Sequence, residues 1–287
     1  MSFAWAARER QLLAEQNLKP VIEKELLTIS LLAEVAELPA EHETGIRRGA
    51  DMVVGLVSEA GPGGADDAWY NFTMAFYSAV MSTGNDLNHK NLAGLIVAVA
   101  ECGAASASAE VSQILGQLKG FGWTARDLWN GPKTLGTYQD SPEEAQTSWV
   151  NLNRFTAHLS CLQRTRPVEA LEQWLEDYGL WTIASGLEDP DTTARAEHIE
   201  PAIWWLRIAG HDIFSDTTWG ARDGNPQPGV PERDGPLWTA RLAEGASQES
   251  RWDFWKERLR QIAADNRVPV NTRNLASDAL QEMVGRW

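Results

Sequence analysis

The chain has 287 residues and a formal net charge of −15. That length suffices for a sizeable core without staples, and two cysteines, Cys102 and Cys161, are too few for a disulfide framework. The acidity argues against nucleic acid or an anionic membrane as partner, and no apolar run reaches the roughly 20 residues of a membrane helix.

Helix signals recur from end to end, and period-two runs are nearly absent. The N-terminal stretch carries charge where a secretion signal needs an apolar core, so a cytosolic protein is expected. From Pro20, apolar residues through Leu38 predict a helix ended by Pro39; a second is expected over 43–59. Gly61-Pro62-Gly63-Gly64 reads as a connection, and Asp66 or Asp67 as the cap of a helix through Val80. His89 to Cys102 is apolar nearly all round, the mark of a central buried helix, with Gly94 and Ala98 allowing close approach of a neighbour. A helix near Glu110 to Leu118 precedes residues 120–141, expected as a long loop with one turn around Arg126.

Ser141-Pro142-Glu143-Glu144 is a helix start of capping-box form. The helix presents Trp149, Leu152, Phe155 and Leu159 on one face. A helix from Pro167 to about Ser185 follows, then one from Asp189-Pro190 stopped at Gly210, which Pro201 should kink or split. Residues 215–236 read as a loop, Ser247 as the cap of a helix through Ile262, and Asn271 as the cap of the last. The expectation is an all-α, single globular domain over 1–287, with about ten helices and no sheet.

Phosphate loops, dinucleotide fingerprints, HExxH and GxSxG are missing from the sequence, and no histidine pairs at metal-ligand spacing. No metal and no cofactor are expected. Glu188, Asp189 and Asp191 read as helix-start charges, and Arg251 to Arg260 as a solvated face. One polar stripe remains: Asn151, Arg154 and His158, at i, i+3 and i+7, share a helix face. They are either an ordinary solvated flank or a set of donors able to hold a carbonyl and move a proton.

Fourteen tryptophans against four tyrosines suit an aromatic-lined pocket as well as a core. Trp123, Arg126 and Trp129 lie on one predicted loop and form either a lid with a cation–π contact or a loop pinned to the core. Trp204 and Trp205 cannot both face the core.

The segments FGWTARDLWN, WVNLNRF, DGPLW and RWDFWKERLRQIA resemble, in that order, a fungal family of uncharacterised helical proteins that carries a domain of unknown function. The likeness covers roughly residues 85–287; residues 1–84 match less clearly. It implies an all-helical fungal cytosolic protein. A looser similarity is to the hetero-Diels–Alderases of tropolone–sesquiterpenoid pathways, which need no cofactor.

The leading expectation is a cofactor-independent cyclase or pericyclase of fungal secondary metabolism. It would act on an apolar polyene or quinone-methide-type substrate held in near-attack geometry. Arg154 and His158 would be donors supported by Asn151, with Trp123, Arg126, Trp129, Trp149, Trp204 and Trp205 binding substrate. One alternative is a non-catalytic ligand-binding or protein-interaction module. Another is a proton-shuttling isomerase or dehydratase with His158 as base. The N-terminal helix with Phe3 and Trp5 packs either on its own core or on a second subunit of a homodimer.

Overall fold

A computed structural model describes residues 6–7, 11, 19–40, 42–61, 63–135, 141–171, 175–191, 196–215, 234–246 and 251–285. The fold is all-α, with no strand among the described residues. The chain divides into two compact units, 1–172 and 173–287.

In the first unit α1 (Lys19–Ala36), α2 (Glu43–Glu59) and α3 (Ala65–Ser82) lead to the central α4 (Asp86–Ala104). Helix α4 is buried almost all round, as its missing polar face predicts: Leu92, Leu95, Ile96, Val97 and Val99 are each fully buried. Gly64, not an aspartate, caps α3, so Asp66 and Asp67 lie in its first turn, where they favour the helix dipole. Next come the short α5 (Ala109–Val111), continuing as π-helix over Ser112–Gly116, then α6 (Phe121–Leu128), α7 (Pro132–Leu135) and the long α8 (Pro142–Thr165). Ser141 caps α8 as expected: its Oγ accepts from the Glu144 N–H at 3.1 Å.

The segment 120–135 corrects the expectation of a loop. Gly120 turns the chain at φ +76°, a left-handed conformation open to glycine, and α6 begins at once. The spacing of Phe121, Ala125 and Trp129 explains it, because all three are buried on one helical face. Phe121 stacks on Tyr77 with ring centroids 5.0 Å apart, and Phe76 meets Phe155 at 5.4 Å, so α3, α6 and α8 share one aromatic core. The close approach on α4 occurs less at Gly94 than at Gly103. A Cβ on Gly103 would collide with Leu115 Cβ and come within 2.8 Å of the Gly116 nitrogen. A 3-10 turn at Glu169–Leu171 stands where a continuous helix from Pro167 was expected.

In the second unit α9 (Leu175–Leu187) pairs with α10 (Ala196–Ser215), followed by α11 (Pro236–Ala243), α12 (Arg251–Ala264) and α13 (Val270–Gly285). Helix α10 is not split at Pro201, which lies in its second described turn and removes a single backbone donor. Nor does Gly210 end it. A Cβ there would meet Trp252 at 3.2 Å, so this glycine makes room for an indole. Similarly, a Cβ on Gly179 would stand 2.9 Å from Trp205, and one on Gly186 would stand 2.5 Å from the His198 carbonyl. These small residues let α9 and α10 pack closely. Helix α13 begins at Val270, so Asn271 lies inside it rather than at its cap. Phe3, Trp5, Trp174, Ser247 and residues 216–233 lie outside the described residues.

Candidate functional site

The stripe on α8 is no solvated flank. Asn151 and Arg154 are 2% and 8% exposed, and the His158 side chain 13%. All three point at the corner between α3 and α4. The Asn151 amide donates to the Met81 carbonyl at 2.8 Å, and Arg154 Nη1 to the Gly84 carbonyl at 2.7 Å. His89 of α4 adds a third hold, with Nε2 3.3 Å from the Val80 carbonyl. The Met81 carbonyl lies in the last turn of α3, where intrahelical partners run out, and Gly84 lies just beyond it, so these side chains supply partners that the helix does not.

Asp86, in the first turn of α4, completes the cluster. Asn85 caps that helix, accepting from the Leu87 N–H at 2.9 Å, and this places the Asp86 carboxylate opposite α8. Its Oδ1 lies 2.9 Å from His158 Nε2 and 3.7 Å from Arg154 Nη2. The His158 hydrogen bond, aided by the charges of His158 and Arg154, holds the Asp86 carboxyl below the usual carboxylate range against its partial burial. Asp86 is therefore ionised at neutral pH and can only accept, so His158 Nε2 must carry the proton. In the neutral ring, Nδ1 is then the basic nitrogen. Among the described residues it has no hydrogen-bond partner, and it is not sealed off from solvent.

His89 contrasts with His158. It is fully buried, and burial, with the nearby Arg154 charge, pushes its pKa down to about 3. The Val80 carbonyl likewise requires its Nε2 to be the protonated nitrogen. His89 is a neutral structural imidazole.

The other predicted site residues do not gather here. Trp129 and Trp149 pack edge to face at 5.2 Å and are 4% and 0% exposed, filling the core of the first unit. Trp123 is 68% exposed with the Arg126 guanidinium 5.4 Å over its ring, so the expected cation–π contact is present on α6. Trp204 and Trp205 belong to the second unit. Trp205 is fully buried, while Trp204 is half-buried beneath Arg207 at 4.8 Å. One indole faces the core and the other does not, as their adjacency requires.

The second unit holds a polar cluster of another kind, which sequence reasoning read as helix-start charge and solvated face. Glu188 follows the end of α9 and is fully buried. Its carboxylate accepts from Arg251 Nε and Nη2 at 2.7 and 2.9 Å, from the Trp255 indole at 2.7 Å and from the Gly235 N–H at 2.6 Å. Arg251 also reaches Asp234 at 2.7 Å. Arg258 donates to the Leu187 and Asp189 carbonyls. Such a saturated carboxylate has no lone pair left for chemistry; it pins the Gly235–Trp238 segment to α9 and α12. Lys256 pairs with Asp253 and Arg260 with Glu257 along α12, where the charge is part of the face read from the sequence.

Among the described residues no three His, Cys, Asp or Glu side chains group as metal ligands. Cys102 is buried with its thiol 3.4 Å from Asp51, and burial raises its pKa, which makes it a poor nucleophile; Cys161 is half-buried. No described helix is long and apolar enough to cross a membrane.

Comparison with known proteins adds one match. Residues 74–259 fit the family described as a protein of unknown function (DUF3632), and the chain belongs to it. No curated protein and no solved structure matches the chain. The matched segment contains Asp86, His89, Asn151, Arg154 and His158, and also Glu188 and Arg251.

Proposed function

We propose that this member of the family is a cofactor-independent enzyme of small-molecule metabolism that works by proton transfer, an isomerase or dehydratase, with His158 as general base. The observation that carries the reading is the 2.9 Å contact from His158 Nε2 to Asp86 Oδ1. A carboxylate held on one imidazole nitrogen fixes the tautomer, stabilises the imidazolium once a proton arrives, and leaves the other nitrogen as base. Here the held nitrogen is Nε2, so Nδ1 takes the proton from a carbon or hydroxyl of the substrate and returns it elsewhere on the same molecule or to a leaving hydroxyl.

The cyclase or hetero-Diels–Alderase reading, with a fungal natural-product substrate, is the second proposal. It needs donors aimed at a developing oxyanion. Of its candidates, Arg154 and the supporting Asn151 spend donors on the backbone carbonyls of Gly84 and Met81, and His158 spends its Nε2 on Asp86, which favours the proton-transfer reading.

The test compares metabolites by mass spectrometry in the source organism carrying the intact gene, a deletion, or His158→Gln. The expected result is the same precursor accumulating in the deletion and in the folded variant. The precursor's structure relates to the lost product by a moved hydrogen or double bond or by loss of water for the first reading, and by a new ring, closed within one molecule or between two, for the second. A deletion phenotype that His158→Gln does not share removes His158 from the chemistry. An unchanged profile in both strains rejects catalysis in favour of a binding module.

A further inference from the structure

Asp86 is held to His158 from outside the pair, and the residue doing so is Arg154. Its guanidinium is nearly buried; it hydrogen-bonds one carbonyl and stands in ion-pair range of one carboxylate, forking between the two. Nη1 donates to the Gly84 carbonyl at 2.7 Å, and Nη2 stands 3.7 Å from Asp86 Oδ1, the oxygen that also receives His158 Nε2. Gly84 and Asp86 are two residues apart in the turn that joins α3 to α4. One planar side chain on α8 therefore fixes both the path of that turn and the position of the carboxylate it carries. Asn151, one helical turn earlier, performs the first half of this task at Met81 but does not reach the carboxylate. His89 holds Val80 from the α4 side.

We infer that Arg154 is a positioning residue for the base: by gripping the Gly84 carbonyl and Asp86 together it locks His158 in the tautomer whose Nδ1 is open to react. The inference rests on the proton-transfer reading above and adds a requirement to it. Without the fork, Asp86 is still present and still negative. The Gly84 carbonyl is no longer tied to α8, however, and the Asp86–His158 hydrogen bond becomes one option among several. A histidine without a fixed acceptor populates both neutral tautomers, and molecules protonated at Nδ1 present no base to the substrate. An arginine serving only stability would change the melting temperature and leave the tautomer alone.

The experiment needs no substrate. The chain has five histidines, so selective 15N-histidine labelling of the whole protein gives a countable imidazole spectrum. His158→Gln assigns the His158 signals by their disappearance. Spectra are taken at about pH 9, well above the ordinary imidazole range. In the intact protein we expect His158 with Nε2 protonated and Nδ1 bare, two well-separated nitrogen shifts. In Arg154→Gln the two shifts should move toward each other or a second, Nδ1-protonated set should appear. If Arg154→Gln does not fold, Arg154→Lys replaces it, keeping the charge and losing the fork, and the same convergence is expected. A single Nε2-protonated tautomer in the folded variant overturns the inference while leaving His158 as base. An intact protein whose His158 is already protonated at Nδ1, or already mixed, overturns the proton-transfer reading and this inference with it.

Discussion

Two buried groups are sharp tests of how single residues hold this chain together. Glu188 is fully buried, and its charge is balanced chiefly by Arg251. Breaking a buried pair from one side strands the remaining charge, which costs roughly 3–5 kcal/mol. Arg251→Met should therefore lower the urea-unfolding free energy by about that much, and Glu188→Gln should also destabilise, because it strands the buried Arg251 charge and turns an amide NH2 toward donors the carboxylate satisfies. A loss under about 1 kcal/mol for Arg251→Met would mean that Glu188 finds other compensation. His89 gives the pH test. Its folded pKa is about 3, against an ordinary value near 6.5. Between those values the unfolded chain binds a proton that the folded chain refuses, so stability is fully present above about pH 6.5 and falls as pH falls. At roughly 1.4 kcal/mol per pH unit, going from pH 7 to pH 5 should remove about 2 kcal/mol. His89→Gln keeps a donor for the Val80 carbonyl and cannot titrate, so its loss over the same interval should be much smaller. Equal losses in both proteins would refute burial of His89 as the source. Asp86 does not interfere, since its lowered pKa confines its own contribution to stability to a loss below about pH 4.

At the scale of elements, two glycines of α4 make opposite predictions. Replacing glycine by alanine inside a helix gains roughly 0.5–1 kcal/mol where there is room. On Gly94 a methyl would meet only the Ile46 Cδ1 tip at 3.1 Å, which a rotamer adjustment relieves. Gly94→Ala should be neutral or slightly stabilising. On Gly103 the methyl meets Leu115 Cβ and the Gly116 backbone, so the π-helical segment must move, at about 1–3 kcal/mol. Thermal unfolding of the two variants should separate them in sign, and equal shifts would deny the close contact. The difference also shows what a sequence makes legible. The apolar surround of α4 and the cap at Ser141 are local patterns, and both are read correctly from composition and spacing. Which glycine admits a neighbour depends on an element more than ten residues away. Helix α6 escapes a sequence reading for the same reason: Gly120, Gly122, Gly131 and Pro132 look like loop, and only burial of Phe121, Ala125 and Trp129 against distant rings makes the segment helical. The polar stripe of α8 was legible because its members are one and two turns apart. Asp86 was not, since it lies 72 residues from His158 and carries the features of an ordinary helix-start acid. Glu188 and Arg251, 63 residues apart, hid in the same way behind exposed-looking charge patterns.

For the whole molecule, the absence of period-two patterning suffices to read the all-α class, whereas no shift in composition marks the division at 172/173. The family match runs across that division, from residue 74 to 259, and takes in part of each unit, including the buried polar cluster of each. One property belongs to the chain as a whole, the formal charge of −15 from 40 acidic and 25 basic residues. Self-repulsion of that size disfavours the compact state. Salt at about 0.3 M shortens the screening length to roughly 6 Å, so it weakens this repulsion together with the exposed pairs, each of which contributes only about 0–1 kcal/mol. The excess of acid decides the sign, and raising sodium chloride from about 20 mM to 0.3 M should increase the unfolding free energy. The buried Glu188–Arg251 pair, with side chains 0% and 7% exposed, is out of reach of mobile ions. The loss caused by Arg251→Met should accordingly be the same at both salt concentrations, while the intact protein and the variant gain in parallel. A fall in stability with salt would mean that exposed pairs such as Arg267–Asp265 and Lys119–Asp66 outweigh the net charge. A salt-dependent Arg251→Met loss would mean that the pair is open to solvent.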